Sequence, residues 1–283
     1  MKIYKNATLL SKFLLQQKKN NKHVGFVPTM GALHAGHLSL LHGSVRDNDL
    51  TVCSIFVNPT QFNDPEDFKK YPVTIDQDIY LLEKSGCDVL FLPPVSEIYP
   101  HGTNNFKKYN LGFLETVLEG KFRPGHFQGV CQVMHRLLEI ILPHSLYMGQ
   151  KDYQQCLVIK RLLSITQLVE KIKLEIFPTV REPDGLAMSS RNKRLSNQAR
   201  AIAPVISKIL LSVKENLKAG NIGEIITTGK LQLETAGFKT DYLQIASAET
   251  LELIDVWDGH SKAVALAAAF IDGVRLIDNV LIN

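Results

Sequence analysis

The stretch V24-G-F-V-P-T-M-G-A-L-H-A-G-H-L-S-L-L-H-G-S44 decides how the first half of the chain is interpreted. Its first six residues form an apolar run typical of a buried strand, and apolar residues recur at helical spacing over 37–47. We therefore predict a strand that passes directly into a helix, with a short turn between them. The glycines and histidines in that turn are Gly31, His34, Gly36 and His37.

The same alternation continues to about residue 180. Further apolar, strand-like runs lie at 51–57, 88–94, 145–149 and 174–180. Further helix-period segments lie at 75–86, 128–142 and 153–164. Thr74 and Gln77 suggest a capping box at the start of the first of these helices. Apolar strands that alternate with helices indicate a parallel sheet covered on both faces. We predict a doubly wound, Rossmann-like α/β domain over residues 1–182.

The pattern changes after residue 182. The segment 181–196 is polar and contains Pro183 and Gly185, which indicates a loop or hinge. A long helical pattern from Ala199 to Leu217 ends before Gly220, and a second one covers 222–236. Strand-like runs follow at 240–247, 263–270 and 274–282. Two helices beside three strands predict a smaller α+β domain at the C-terminus, over residues 183–283.

Composition limits the class of protein. The chain is 45% hydrophobic and 21% charged, with a net charge of +4 and scattered Lys and Arg, which favours a small anionic substrate over nucleic acid. No apolar run approaches the ~20 residues of a membrane span, and the N-terminus does not resemble a signal peptide. The four cysteines form no CxxC pair and lie in apolar stretches. We expect a cytoplasmic protein with reduced core cysteines and without a membrane or nucleic-acid partner.

The turn between strand and helix is a candidate phosphate site. In open α/β sheets the first such turn lies where ligands bind, and free N–H groups at a helix start attract anions. The spacing of Gly31 and Gly36 matches a Walker A loop, but His37 and Leu38 replace its Lys and Ser/Thr. The chain also lacks the G-x-G-x-x-G motif of dinucleotide-binding turns, which argues against a dinucleotide dehydrogenase. A zinc site would need a ligand beyond His34 and His37, and a purely structural histidine pair also remains open.

The motif H34-A-G-H37 resembles the HIGH motif of the nucleotidyltransferase superfamily, and A187-M-S-S-R191 resembles its mobile KMSKS-type loop. Longer stretches narrow the resemblance. They are P28–H37, S54-I-F-V-N-P-T-Q-F62, R123-P-G-H-F127, G149-Q-K-D-Y-Q-Q155 and P178–N192. Together they are similar to the pantothenate synthetase (pantoate–β-alanine ligase) family, in register over about residues 20–195 and more loosely beyond.

The resemblance implies an ATP-dependent condensation of (R)-pantoate with β-alanine. Pantoate's carboxylate attacks the α-phosphate of ATP to give pantoyl adenylate and pyrophosphate, and the amine of β-alanine then displaces AMP. It also implies Mg²⁺ on the ATP phosphates and a homodimer. Two alternatives remain open: another HxGH-type nucleotidyltransferase, and a non-catalytic nucleotide sensor. The glutamines Gln61 and Gln155 argue against a phosphorylated acceptor, which would call for more Arg or Lys.

The resemblance also assigns site residues. His37 would be the catalytic acid, and Gln61 and Gln155 would hold pantoate, with Asn58 as a weaker third candidate. Asp78, with Asp76 nearby, lies in the region that the family uses near the metal. The ATP-binding set would be Met30, Gly31, Ala32, Leu33, His34, Ala35, Gly36, His37, Gly149, Gln150, Lys151, Asp152, Val180, Met188, Ser189, Ser190 and Arg191.

Three further positions complete the assignment. His126 would either line the site or cap a helix. Gln150 stands where the family pattern has Glu, and Val73 stands where Arg is common. Both departures put a typical ATP affinity in doubt.

Overall fold

A computed structural model describes residues 1–63, 65–103 and 107–282 of the chain. The chain forms two compact units. The first comprises Met1–Gly149 and Val158–Phe177, and the second comprises Gln150–Leu157 and Pro178–Asn283. Residues 150–157 and 178–182, which the prediction places in the first domain, therefore belong to the second unit. The domain limits at residues 182 and 183 stay a prediction.

The first unit is built on a six-stranded parallel sheet. Its strands are β1 (Lys2–Tyr4), β2 (Val24–Thr29), β3 (Leu50–Ile55), β4 (Val89–Phe91), β5 (Ser145–Gly149) and β6 (Lys173–Phe177). Their order in the sheet is β1-β4-β3-β2-β5-β6, and every pair is parallel. From β2 the chain moves outward through β3 and β4, and later through β5 and β6 on the other side. The topological switch point therefore lies between β2 and β5, where ligands bind in such sheets.

Eight helices follow or separate these strands along the described part of the chain, and the last of them begins in the second unit. They are α1 (Ala7–Lys19), α2 (Ala35–Asp47), α3 (Pro65–Lys69), α4 (Ile75–Lys84), α5 (Val95–Ile98), α6 (Leu118–Phe122), α7 (His126–Ile141) and α8 (Tyr153–Ile165). Strands β3 and β4 are buried along their whole length, because helices cover both faces of the sheet. The doubly wound, Rossmann-like α/β prediction is confirmed.

The predicted capping box at the start of α4 is wrong. Thr74 occupies the N-cap position but its side chain makes no cap bond. Its hydroxyl instead donates to the Oδ1 atom of Asp78, at 3.1 Å. This contact is local, since Asp78 is buried one turn into the same helix, and no cap bond forms beside it.

The second unit contains the predicted α+β arrangement. Its further elements are α9 (Asn197–Ile202), α10 (Val205–Asn216), α11 (Gly223–Thr235), β7 (Gly220–Asn221), β8 (Lys239–Ser247), β9 (Val256–Trp257), β10 (Ala263–Ile271) and β11 (Val274–Ile282). A three-stranded antiparallel sheet has the order β11-β10-β8, and β7 pairs with β9. The single long helix predicted from Ala199 to Leu217 is wrong. It divides at Pro204, because proline has no N–H to continue the helical ladder.

Each unit has its own hydrophobic core. In the first, Val27 of β2, Cys53 of β3 and Leu41 of α2 pack together. In the second, alternate alanines of β10 pack with Ile209 and Leu210 of α10. The four cysteines are free and buried, as expected. Over the described ranges, no helix is both long enough and apolar enough to cross a bilayer.

Candidate active site

The turn after β2 is held by two histidine side chains. Nδ1 of His34 accepts a hydrogen bond from the amide of Gly36 (3.1 Å), and Nδ1 of His37 accepts one from the amide of His34 (3.3 Å). This is a reciprocal cap on the first turn of α2, and the ring centroids lie 4.1 Å apart. A ring nitrogen that accepts a bond carries no proton, so each neutral imidazole carries its proton on Nε2. Two adjacent rings thus carry Nε2–H donors of the kind that a phosphate oxygen accepts.

The backbone amides of this turn donate within the chain. Those of residues 31–34 and 36–38 donate to Thr29 Oγ1, the Asp78 carboxylate, the two histidine rings and the His34 carbonyl. The expectation that the helix start offers free N–H groups to an anion is therefore wrong for these amides. Because these amides already have acceptors inside the protein, the groups of this turn that could donate to an anion are its side chains.

The other predicted members of the turn differ in exposure. Met30 and Gly36 are half-buried, whereas Ala35, the first residue of α2, is exposed. Gly31, Ala32 and Leu33 are buried. Their predicted contact with ATP stays a prediction.

Gln61 is presented as a hydrogen-bond donor. Asn58 is buried, and its Nδ2 donates to Gln61 Oε1 (3.0 Å) and to the Gly129 carbonyl (3.1 Å). Its Oδ1 accepts from the hydroxyl of Tyr99 (2.6 Å), which burial keeps protonated by raising the tyrosine pKa. A carbonyl can only accept, so the Asn58 amide cannot turn over. Gln61 Oε1 is thereby held toward Asn58, and Gln61 Nε2 lies 3.0 Å from the sulfur of Met30. The Nε2–H group of Gln61, on the side of Met30, can donate to a carboxylate or hydroxyl oxygen.

His126 supports the segment of backbone that carries Gln61. It is buried at the start of α7, and its Nδ1 lies 2.7 Å from the carbonyl oxygen of Gln61. Because that oxygen can only accept, Nδ1 is the protonated nitrogen. The N-cap position of α7 belongs to Gly125. His126 therefore does not cap the helix, and it fixes the backbone that carries Gln61.

In the second unit, three predicted ATP-binding residues form one turn. Gln150, Lys151 and Asp152 form a short 3₁₀ helix directly after Gly149, the last residue of β5. Asn279 Nδ2 of β11 donates to the carbonyls of Gln150 (3.0 Å) and Lys151 (2.9 Å). Gln150 Nε2 donates in return to Asn279 Oδ1, at 3.1 Å. The amide that replaces the family's Glu at position 150 is thus the partner of Asn279. Gln155 lies half-buried in α8.

The remaining ATP-binding candidates of the second unit lie on a hairpin-like loop. The amide of Met188 donates to the carbonyl of Val180 (3.0 Å), which brings these two residues side by side. Arg181 makes a two-pronged ion pair with Asp278 at 2.6 and 3.0 Å, and the Asp278 side chain is completely buried. This pair ties the base of the loop to β11.

The loop then turns into a 3₁₀ helix over Ser190–Arg194. Ser189 is its N-cap residue, and its Oγ accepts from the amide of Arg191 at 3.2 Å. Ser190 is buried and Arg191 is half-buried. The polar segment 181–196 is therefore an ordered loop in the second unit.

Sequence reasoning missed several residues that hold the site. Asp278 and Asn279 are buried polar residues in β11, whose other residues are apolar except Arg275, and this contrast was the available signal. Tyr99 carried no such signal, since a tyrosine in a loop is unremarkable until its partner is known. Val73, the other departure from the family pattern, is exposed.

The fold and the site define a class. A parallel sheet whose switch point carries a His-x-Gly-His turn, with a second unit carrying a lysine turn and a serine-rich loop, is typical of α/β enzymes that act on nucleotide phosphates. Over residues 2–281 the chain matches the family model described as pantoate-beta-alanine ligase. The chain belongs to the pantoate–β-alanine ligase family, and it is an ATP-dependent enzyme that ligates pantoate and β-alanine.

Individual relatives agree with this placement. The pantothenate synthetase of Cytophaga hutchinsonii is 45% identical over 272 residues, which cover 95% of each chain. That of Acetivibrio thermocellus is 43% identical and is covered completely. The crystal structure of pantothenate synthetase from Thermus thermophilus matches with a TM-score of 0.89 and 39% identity, over 99% of each chain. The Francisella tularensis pantoate-beta-alanine ligase, complexed with beta-gamma ATP and β-alanine, matches with a TM-score of 0.81 and 38% identity, over 99% of this chain and 97% of that one.

ATP-dependent ligation involves a divalent metal ion, but the described residues offer few side chains that could bind one. Among the described residues, no group of three or more His, Cys, Asp or Glu side chains is placed to hold a metal. The expected metal neighbour, Asp78, is buried and accepts from two backbone amides and the Thr74 hydroxyl. It does not fit the role of a direct metal ligand.

Proposed function

We propose that this chain makes pantothenate through a pantoyl adenylate, with the first step taking place at the turn that contains His34 and His37. The observation that carries the proposal is the reciprocal cap of these two histidines. It keeps both Nδ1 atoms occupied by backbone amides and leaves each ring proton on Nε2.

In the first step a carboxylate oxygen of pantoate attacks the α-phosphorus of ATP. The new P–O bond forms as the bond from the α-phosphorus to the bridging oxygen breaks, and pyrophosphate leaves with the electron pair. An anion has to approach a polyanion, so donors fixed in advance lower the barrier. His37 Nε2–H is the donor that we assign to the transition state and the departing pyrophosphate, and His34 assists on the phosphates.

The remaining predicted ATP contacts divide between the two units. In the first they are Met30, Gly31, Ala32, Leu33, Ala35, Gly36 and Gly149. In the second they are Gln150, Lys151, Asp152, Val180, Met188, Ser189, Ser190 and Arg191. Lys151 supplies the positive charge of its turn, with its Nζ 3.9 Å from Asp152 Oδ1. Val180 offers its backbone to adenine beside Met188.

Gln61 and Gln155 are the proposed pantoate residues. The fixed amide of Asn58 turns Gln61 into an N–H donor, which matches pantoate's carboxylate and hydroxyl oxygens. Holding pantoate in line with ATP supplies rate by positioning. In the second step the amine of β-alanine attacks the acyl carbon, the bond to the AMP oxygen breaks, and the amine releases a proton.

Three further assignments rest on the family resemblance. We propose Mg²⁺ as the divalent metal, carried by the ATP phosphates rather than by a protein site. We propose a homodimer. We also propose a cytoplasmic location, which the four free cysteines support, because thiols stay unpaired in a reducing compartment.

Exchange of labelled pyrophosphate into ATP tests the proposal. With pantoate present and β-alanine absent, exchange should occur, because the first step is reversible and releases pyrophosphate. Exchange without pantoate would point to another acceptor. Binding of ATP with neither exchange nor pantothenate formation would favour a nucleotide sensor.

A further inference from the structure

The turn that carries the two histidines is held from a distant part of the chain by one carboxylate. Asp78 lies in α4 and is completely buried. Its Oδ2 accepts from the amide of Ala32 (2.9 Å), and its Oδ1 accepts from the amide of Leu33 (2.8 Å). The Thr74 hydroxyl donates to the same Oδ1, at 3.1 Å. Two adjacent backbone amides and a single carboxylate thus form a two-pronged clamp.

The clamped segment is one that would otherwise change shape. Gly31 has φ +82°, and Ala32 has φ +50°, in the left-handed region that a residue with a side chain seldom adopts. Such a conformation persists only where surrounding contacts determine it. Ala32 and Leu33 are also buried, so their amides need partners inside the protein. Asp78 supplies both partners, one from each of its two carboxylate oxygens.

The clamp acts directly before the histidines. Leu33 is the last residue before His34, whose amide bonds to the ring of His37. A change in the direction of the chain at 32–33 therefore changes the position of both rings, although Asp78 is remote from them in sequence.

We infer that Asp78 is a positioning residue for ATP, acting through the backbone of Ala32 and Leu33 to place His34 and His37. This inference rests on the proposed function of the turn. Asp78 contributes through these backbone bonds, and the metal stays with the phosphates. Its carboxylate oxygens are directed to hydrogen-bond donors of the protein.

The variant Asp78→Asn tests this inference. Asparagine keeps the shape of the side chain, but its NH₂ group would face the amide of Ala32 or of Leu33, donor against donor. The matched control is Thr74→Val, which removes the third bond and leaves both backbone bonds intact. Initial rates of pantoate-dependent ATP–pyrophosphate exchange are measured per folded molecule, with the folded fraction taken from denaturation curves.

For Asp78→Asn, kcat/KM for ATP should fall on the order of 10²-fold, the effect of a misplacement of about 1 Å at a reacting centre. Thr74→Val should retain most of the activity. The free Mg²⁺ concentration for half-maximal exchange, at saturating ATP, should not change in Asp78→Asn. Wild-type activity per folded Asp78→Asn molecule would overturn the inference. So would a shifted Mg²⁺ requirement, which would return Asp78 to the metal.

A second measurement needs no variant. Amide hydrogen exchange of the wild-type enzyme should show protection at Ala32 and Leu33, because both amides are bonded to a buried carboxylate. Exchange as fast as in an open loop would overturn the inference even if Asp78→Asn fails to fold. Failure of the proposed function is separate, since it would appear as wild-type enzyme without any pantoate-dependent exchange.

Discussion

His37 has two tasks that a series of substitutions can separate. Its ring accepts the amide of His34 and so caps α2, and the same ring carries the Nε2–H group that we assign to phosphate. His37 is the third residue of the helix, where Glu or Gln completes an ordinary capping box. Glutamine can therefore accept the His34 amide and still present an N–H donor. Glutamate can accept it but presents no donor, and alanine does neither.

The sizes of the two effects differ enough to be told apart. Loss of a cap costs about 0.5–2 kcal/mol of stability, and the 3.3 Å bond of His37 places this cap toward the lower end. Loss of one preorganised donor costs about 10²–10³ in rate, or roughly 2.7–4 kcal/mol in the transition state. His37→Ala should show both losses. His37→Glu should keep its stability but fall at least as far in rate, because its charge opposes the phosphates. His37→Gln should keep its stability and the largest share of the rate.

Urea denaturation measures the first quantity, and pantoate-dependent ATP–pyrophosphate exchange measures the second. Near-normal exchange by His37→Ala would remove His37 from the reaction. If His37→Gln lost as much rate as His37→Ala while remaining folded, an N–H donor at this position would not be what the reaction needs.

Three further predictions concern the surroundings of the site. Gly43→Ala should lower the free energy of unfolding by about 1–3 kcal/mol in urea denaturation, because the new Cβ would lie 2.2 Å from Phe177 Cζ, and this crowding outweighs a helix-propensity gain of about 1 kcal/mol. Unchanged stability would contradict the packing of α2. Gln61→Glu should raise the KM for pantoate with little change in the KM for ATP, since an N–H donor becomes a carboxylate that faces a carboxylate substrate. Steady-state kinetics with each substrate varied in turn measure the two KM values. Equal changes in both would show that the assignment of Gln61 to pantoate is wrong. Asn279→Ala should raise the KM for ATP, because it frees the carbonyl groups of the turn that carries Lys151; calorimetric titration with ATP would refute this by showing an unchanged Kd.

The sequence by itself determined the fold class, and it predicted the turn after β2 as the candidate site. Strands that are apolar along their length, with amphipathic helices between them, require a sheet buried on both faces, and this requirement is visible without coordinates. The glycines and histidines after β2 lie between a predicted strand and a predicted helix, and this position marks the turn. The polar segment after residue 180 marked the second loop in the same way. In each case the physical reason for the prediction lies in residues close together in the sequence, so it is visible without coordinates.

Only the tertiary structure decided which groups hold the turn. Whether a helix start is open to an anion depends on what else accepts its N–H groups, and here the acceptors are the histidines themselves and a carboxylate far along the chain. Gln61 became a defined donor only through Asn58. Hydrogen bonds between distant residues depend on where the folded backbone brings donors and acceptors together, and no spacing in the sequence encodes that meeting.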